Sequence, residues 1–410
     1  MTKPSKAKFN VGGVLLDQPF KVRRLGHFGF DVIKIDESLR FYTELIGFRI
    51  SDILDYSSRA SSPEQIAGLG DPRGYFMRYG NDHHAFVLFN KRVREVVGRR
   101  RRFGQGVTSN QITWQVGSLQ EVGNAIKWFS EKGIEIQRSG RDMPGSNWHT
   151  YLYDPDDHTN ELYYGIEQIG WNGHSKPKEM HIRGFHKPPE LPQMPEFNEV
   201  QQAIKEGVNL ISGYRHVDEL PAKYNVDGVL LPRPFKIARI GPVGLFVKDV
   251  NASEAFYRDT LGFILTEEVI WQGHRCIYLR ANTEHHSLAL YPLVLREQLG
   301  LSSHTTNMAF GLQLANYQQL RDAVRYLRDH GARVTDTVPA ELHPGIDFAA
   351  HVLDPDGHCL QLYYYMEQIG WDGRPRPKDL RRKQVNGEWP EALEPMSDTY
   401  QGEPYMGPWR

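Results

Sequence analysis

The chain has 410 residues, of which 40% are hydrophobic; this is ample for buried cores and more than one small domain needs, so two or more domains are expected. Its 49 basic and 50 acidic residues leave a formal charge of -1, which argues against nucleic-acid or membrane-surface binding. The two cysteines, Cys276 and Cys359, are far apart and outside any metal-ligand spacing, and no run approaches the roughly 18 apolar residues a membrane helix needs. A cytoplasmic protein with structural thiols is expected.

In chain order, most elements occur twice. Val11-Gly12-Gly13-Val14-Leu15-Leu16 returns as Val226-Asp227-Gly228-Val229-Leu230-Leu231. Each leads into a strand, Arg24 to Val32 in the first copy and Arg239 to Val247 in the second. An amphipathic helix follows, Asp36 to Leu45 and Val250 to Leu261, with Gly47 and Gly262 as C-caps. A strand with a histidine pair comes next, His83-His84 against His285-His286. The run Arg99 to Arg102 then reads as a solvated loop or a subunit contact. Thr113-Trp114-Gln115-Val116 and Gly311-Leu312-Gln313-Leu314 are strands before helices at Leu119 to Lys132 and Tyr317 to His330.

Each copy closes on a hairpin, Tyr151-Leu152-Tyr153-Asp154-Pro155-Asp156-Asp157-His158 and onward to Tyr164, matched by His351 to Tyr364. Proline presets φ in the turn, and Asp157 or Gly357 takes the difficult geometry. The second strand carries Glu161 in the first copy and Gln361 in the second, so a carboxylate able to bind a cation becomes a neutral amide. This gives a first module at 11–171, a linker at 172–225 that is helix-like from Glu196 to Ser212, a second module at 226–371 and an irregular tail at 372–410. The aromatic hairpins are core or interface packing, and a homo-oligomer is expected.

Gly-His-Phe on a first strand, a helix with Phe-Tyr, a His-His strand and Asp-Pro-Asp followed by Glu-Leu-Tyr resemble the vicinal oxygen chelate superfamily. The duplication is most similar to the type I extradiol ring-cleaving dioxygenases. The resemblance covers about residues 11–171 and 226–371, and it implies an α+β fold of paired βαβββ units curved around a metal site.

Carried over residue by residue, the resemblance puts metal ligands at His27, Gln111 and Glu161. Gln111, reached by counting back from Val116, stands where the pattern usually has His, and Asn110 is the next candidate. Pro242, Ala309 and Gln361 hold the equivalent places in the second module. The metal site therefore falls in the N-terminal module, whereas extradiol enzymes of this form keep theirs in the C-terminal one. Fe(II) is the implied ion, with Mn(II) or Zn(II) as alternatives.

The implied acid-base groups are His84 and its neighbour His83, with Tyr151 orienting an oxygen and His149 near it. For all four a structural role is the competing reading, and the His pair persists in a copy without ligands. The implied activity is cleavage of a catecholic aromatic with O2. The alternatives are a non-oxidative isomerase, lyase or epimerase, and a metal-free binding protein.

Overall fold

The computed structural model describes residues 8–98, 106–141, 144–145, 147–181, 186–187, 190–370, 372–381 and 389–393. The Arg99 to Arg102 run, Trp371 and most of the predicted tail lie outside them.

The first module opens with the hairpin β1 (Phe9–Val11) and β2 (Val14–Leu16). It continues through β3 (Arg24–Val32), α1 (Ile35–Arg40), β4 (Arg49–Asp55), β5 (Arg73–Arg78), β6 (Phe86–Asn90) and α2 (Lys91–Val97). Its second half is β7 (Ser109–Gln115), α3 (Leu119–Glu131), β8 (Ile136–Arg141), β9 (Trp148–Tyr153) and β10 (Thr159–Tyr164). The linker carries α4 (Glu196–Lys205). The second module repeats the order with β11 (Tyr224–Val226), β12 (Val229–Leu231), β13 (Ile237–Val247), α5 (Val250–Ala255), β14 (Ile264–Trp271), β15 (His274–Arg280), β16 (Leu288–Pro292) and α6 (Leu295–Gln298). It ends with β17 (Asn307–Leu314), α7 (Tyr317–Asp329), β18 (Arg333–Thr335), β19 (Ala349–Leu353) and β20 (Cys359–Tyr363).

Each module is one eight-stranded mixed sheet, ordered β4-β5-β6-β3-β7-β10-β9-β8 in the first and β14-β15-β16-β13-β17-β20-β19-β18 in the second. Each sheet holds two βαβββ units joined edge to edge, antiparallel between β3 and β7 and between β13 and β17. The α+β fold of duplicated βαβββ units is therefore present.

Strand alternation decides which side chains reach the site, because successive residues face opposite sides of a sheet. Phe28, Ile112, Trp114, Leu152 and Leu162 enter the core with Val122, Ala125 and Phe129 of α3. His27, Gln111, Thr113, Tyr151 and Glu161 are left for the other face. The core continues into the second module, where Phe28 stacks on Phe310 at 4.5 Å.

Two expectations are corrected in detail. The predicted helices from Asp36 and Val250 are α-helical only to Arg40 and Ala255, then widen into π turns at Phe41–Ile46 and Phe256–Thr260. The wide turn lets the sequence neighbours Phe41 and Tyr42 both be buried, which a plain helical period does not foresee. The linker helix stops at Lys205 rather than Ser212, since Gly207 at φ 74 ends it. The linker packs on the first module, with Glu199 3.4 Å from Arg141 and 2.9 Å from Lys176, and Gln193 accepting from Trp148 Nε1 at 3.1 Å.

The repeat runs past the hairpins. Lys176-Pro177-Lys178-Glu179-Met180-His181 is matched by Arg376-Pro377-Lys378-Asp379-Leu380-Arg381, each with a short 3-10 turn at its centre. In the second module this strap is pinned by Arg376 on Asp347 at 3.0 Å and Arg381 on Glu267 at 2.6 Å.

Candidate functional site

The centre of the first sheet brings three strands to one point. Thr113 is the cross-strand partner of both His27 on β3 and Glu161 on β10. His27 Nε2 then lies 3.1 Å from Glu161 Oε2, with both side chains buried. Gly26 permits this packing, since a Cβ there would stand 2.1 Å from the Tyr163 hydroxyl oxygen, and the Tyr163 ring packs 5.0 Å from His27.

Glu161 is surrounded by donors. Thr113 Oγ1 donates to Oε2 at 2.9 Å, Asn147 Nδ2 donates to Oε1 at 2.6 Å, and Tyr151 adds a side-chain hydrogen bond. His149 stands 3.8 Å from Oε1. Burial alone would raise this carboxyl's pKa, but the charge and hydrogen bond of His27, with His149 and Tyr151, hold it down at about 2.

His84 packs edge-on to His27 with ring centres 4.3 Å apart, and its Nδ1 lies 3.1 Å from His83 Nδ1. Burial, with His27 and His83 beside it, pushes the His84 imidazole well below the usual histidine range. His83 in turn faces Asp52 at 3.7 Å. His27, His84, Gln111, Asn147 and Tyr151 all border one cavity of about 430 Å³.

The structure thus brings His27, Gln111, His84 and Tyr151 to a single cavity, with Glu161 buried against His27 and with His83 and His149 packed beside this group. Asn110 borders the cavity too, but its amide donates to Asp31 at 2.9 Å. Thr113 and Asn147 were missed by sequence reasoning. Thr113 was within reach of it, since it lies two residues from Gln111 on the same strand face. Asn147 sits in the irregular approach to β9, where no period marks it.

Among the described residues, no group of three or more His, Cys, Asp or Glu side chains is arranged to hold a metal ion. An ion here would need the Gln111 amide oxygen as a third donor. Metal–nitrogen and metal–oxygen bonds of about 2.1 Å at right angles set two ligand atoms about 3 Å apart. The 3.1 Å between His27 Nε2 and Glu161 Oε2 fits such an edge. One imidazole, one carboxylate and one amide oxygen make a mostly oxygen donor set, suited to Mn(II) or Fe(II) more than to a thiophilic ion. His27 Nε2 is the ring atom that faces Glu161, while Nδ1 is buried without a hydrogen-bond partner among the described residues.

The second module closes the same place with neutral groups. Gln361 Nε2 lies 3.1 Å from His351 Nε2, and burial, then His343, pushes the His351 imidazole well below its usual range. Gly244 pairs with Ala309 in the register that Gly29 and Gln111 share in the first module.

Comparison with known proteins bears on the fold and the family. The sequence is 27% identical over 147 residues to metapyrocatechase 2 of Cupriavidus necator, covering 35% of this chain and 38% of that one. It is 24% identical over 131 residues to 2,2',3-trihydroxybiphenyl dioxygenase of Sphingomonas paucimobilis, covering 32% and 42%. The chain thus matches about two fifths of each relative's length. Similar folds include the Mn(II)-bound glyoxalase of Novosphingobium aromaticivorans, at TM-score 0.51 and 14% identity over 95% of this chain and 93% of that one. The 2,3-dioxygenase LapB of Pseudomonas sp. KL28 has TM-score 0.53 and 13% identity over 87% and 96%. The sequence pattern of one family matches residues 24–162 and 239–362, well over half of the chain, and the protein belongs to that family, the Glyoxalase/Bleomycin resistance protein/Dioxygenase superfamily.

Proposed function

We propose that the protein is a divalent-metal-dependent dioxygenase that cleaves an aromatic ring bearing two adjacent oxygens. The observation that carries this reading is the buried His27–Glu161 contact at 3.1 Å, with His27 and the adjacent His84 bordering one cavity. In it, His27 Nε2, Glu161 and the Gln111 amide oxygen hold Fe(II) or Mn(II). When bound, such an ion supplies a Lewis acid for the vicinal oxygens and a centre for O2 chemistry. The chain's own groups do the rest. His84, packed against His27 with its Nδ1 facing His83, is the group placed to take a proton from the substrate and return it. Thr113 and Asn147 fix the carboxylate, and Tyr151 orients an oxygen beside it. Phe76 and Phe89 wall the cavity against water. The relatives named as dioxygenases support the reaction class.

One observation favours a second reading. Gln111 offers a neutral oxygen where an imidazole is usual, so a non-redox isomerase, lyase or epimerase of this superfamily is the alternative. The deciding experiment is elemental analysis with O2 uptake on a panel of catechols. Iron or manganese with stoichiometric O2 consumption is expected, and His84→Ala should lower turnover while leaving the metal in place. Metal without O2 uptake moves the assignment to the non-redox class. Equal and negligible metal in wild type and Glu161→Gln sinks both readings.

A further inference from the structure

The histidine pair is locked in a way that the candidate ligands do not require. His83 Nδ1 lies 3.1 Å from His84 Nδ1, and Phe76 packs edge-on to both rings, with centres 6.3 and 5.1 Å away. Gly145, at φ 96, covers the pair so closely that a Cβ there would stand 3.0 Å from His84 Nδ1 and 3.3 Å from His83 Nδ1. That glycine is tied down in turn, since the Glu167 amide donates to its carbonyl at 3.0 Å and the His83 amide donates to the Glu167 carbonyl at 2.8 Å. On the far side of the His83 ring, Asp52 Oδ2 faces Nε2 at 3.7 Å. With Nδ1 committed to His83, Nε2 is the nitrogen that His84 has left for the cavity it borders.

Two ring nitrogens this close are one donor and one acceptor, so only one of them carries hydrogen. If a neutral His83 held its hydrogen on Nδ1, the lone pair of Nε2 would point at the Asp52 carboxylate and be repelled by it. If His83 held hydrogen on both nitrogens, its charge would be buried with no hydrogen bond at Nε2 among the described residues. Hydrogen on Nε2, towards Asp52, and a bare Nδ1, towards His84, avoids both costs. The hydrogen between the rings then belongs to His84 Nδ1, and a neutral imidazole has no second one for Nε2.

The second module carries the same chain of groups in a tighter form. Glu267 pairs across to Tyr278 as Asp52 pairs to Phe76. Its Oε2 is 3.1 Å from His285 Nε2, and His285 Nδ1 is 3.1 Å from His286 Nδ1. Lys378 and Arg381 of the strap close on Glu267 at 3.8 and 2.6 Å, and Lys178 of the first strap borders the same cavity as Asp52. The closer contact shows which ring nitrogen the carboxylate addresses.

We propose that Asp52 and His83 are positioning residues that hold His84 in the tautomer with hydrogen on Nδ1, leaving the Nε2 lone pair as the proton acceptor in the cavity. This rests on the reading of His84 as the acid-base group for what the tautomer is for, but not for the tautomer itself.

The full chain, labelled with nitrogen-15 in its histidine rings, reports the tautomer through two-bond hydrogen–nitrogen correlations, recorded metal-free and again with Zn(II) added. Loss of one set of signals in His84→Gln assigns them. Wild-type His84 is expected to carry hydrogen on Nδ1 alone. Asp52→Asn, which removes the charge, should move a measurable share of it to Nε2, and His83→Leu, which removes the acceptor, should move most of it. Turnover on the catechol panel should fall about tenfold or more in both at unchanged metal content, because a positioned base contributes about a hundredfold or more. Thermal melts check the fold of His83→Leu, and the isosteric Asp52→Asn is the variant that does not depend on it. Hydrogen on Nε2, or on both nitrogens, of wild-type His84 overturns the inference, as does an unchanged tautomer in both variants. If the tautomer moves as expected while both variants and His84→Ala turn over like wild type, the positioning stands and the acid-base reading of His84 falls.

Discussion

The Tyr42 hydroxyl donates to Asp354 Oδ2 at 3.0 Å across the boundary between the two modules. Tyr257 returns the contact to Asp154 Oδ2 at 2.9 Å. Both tyrosines come from π turns and both aspartates open an Asp-Pro-Asp hairpin, so each module's closing turn grips the other's first helix. Asp356 extends the grip by accepting from the backbone amides of Ile33 and Lys34.

Tyr42→Phe should therefore destabilise the whole chain, because it strips a buried carboxyl of a donor. A loss of about 1–3 kcal/mol is expected, read from the denaturant midpoint at constant m-value. A midpoint unchanged from wild type would mean that the contact carries no net stability.

Asp354 should make stability depend on pH. Burial raises its pKa from 3.8 to about 7, with the neighbouring Asp356 adding to the effect. The first module tempers the same arrangement with His158 Nδ1, 2.9 Å from Asp154, whereas His358 Nδ1 bonds Thr305 instead. A raised folded-state value means that Asp354's contribution is complete below about pH 4 and is lost progressively as pH rises to about 7. Relative to wild type, Asp354→Asn should become more stable on going from pH 4 to pH 8. Parallel pH profiles for the two proteins would refute this.

Glu161→Gln and Glu161→Ala should behave differently. The amide keeps an oxygen for Thr113 or Asn147, so the fold survives while metal affinity drops. Alanine leaves buried donors unsatisfied, and a destabilisation of about 1–3 kcal/mol or more is expected. Elemental analysis beside thermal melts separates the two effects, and full metal occupancy in either variant would remove Glu161 from the ligand set.

Gln111→His should tighten metal binding by building the two-histidine, one-carboxylate set, and Gln111→Ala should loosen it. Competition with a chelator gives the ranking His above Gln above Ala. Equal affinities across the three would place the third donor elsewhere.

Much of this was legible in the sequence because it is periodic or repeated. The strands follow from alternation, and the Asp-Pro-Asp turn is formed as read, with Asp157 and Gly357 at φ 72 and 86. Counting back from Val116 put Gln111 on the same sheet face as His27 and Glu161, since a strand's period is fixed. What escaped depends on distance along the chain. Tyr42 and Asp354 are 312 positions apart, and nothing local in either segment announces the other. The π turns escaped because their apolar spacing passes for an α-helix. Asn147 and Lys178 escaped because irregular segments deliver them to the cavity.

The reciprocal grip between hairpin and helix also bears on biosynthesis. When the first module leaves the ribosome, the aspartate, the π turn and the aromatic face around Phe28 have no counterpart until some two hundred further residues have been made. A gene fragment ending near the linker should yield a chain that aggregates or recruits chaperones, although it carries every residue of the candidate site. Selection would then keep the second copy for the surface it offers the first, whatever chemistry either module performs.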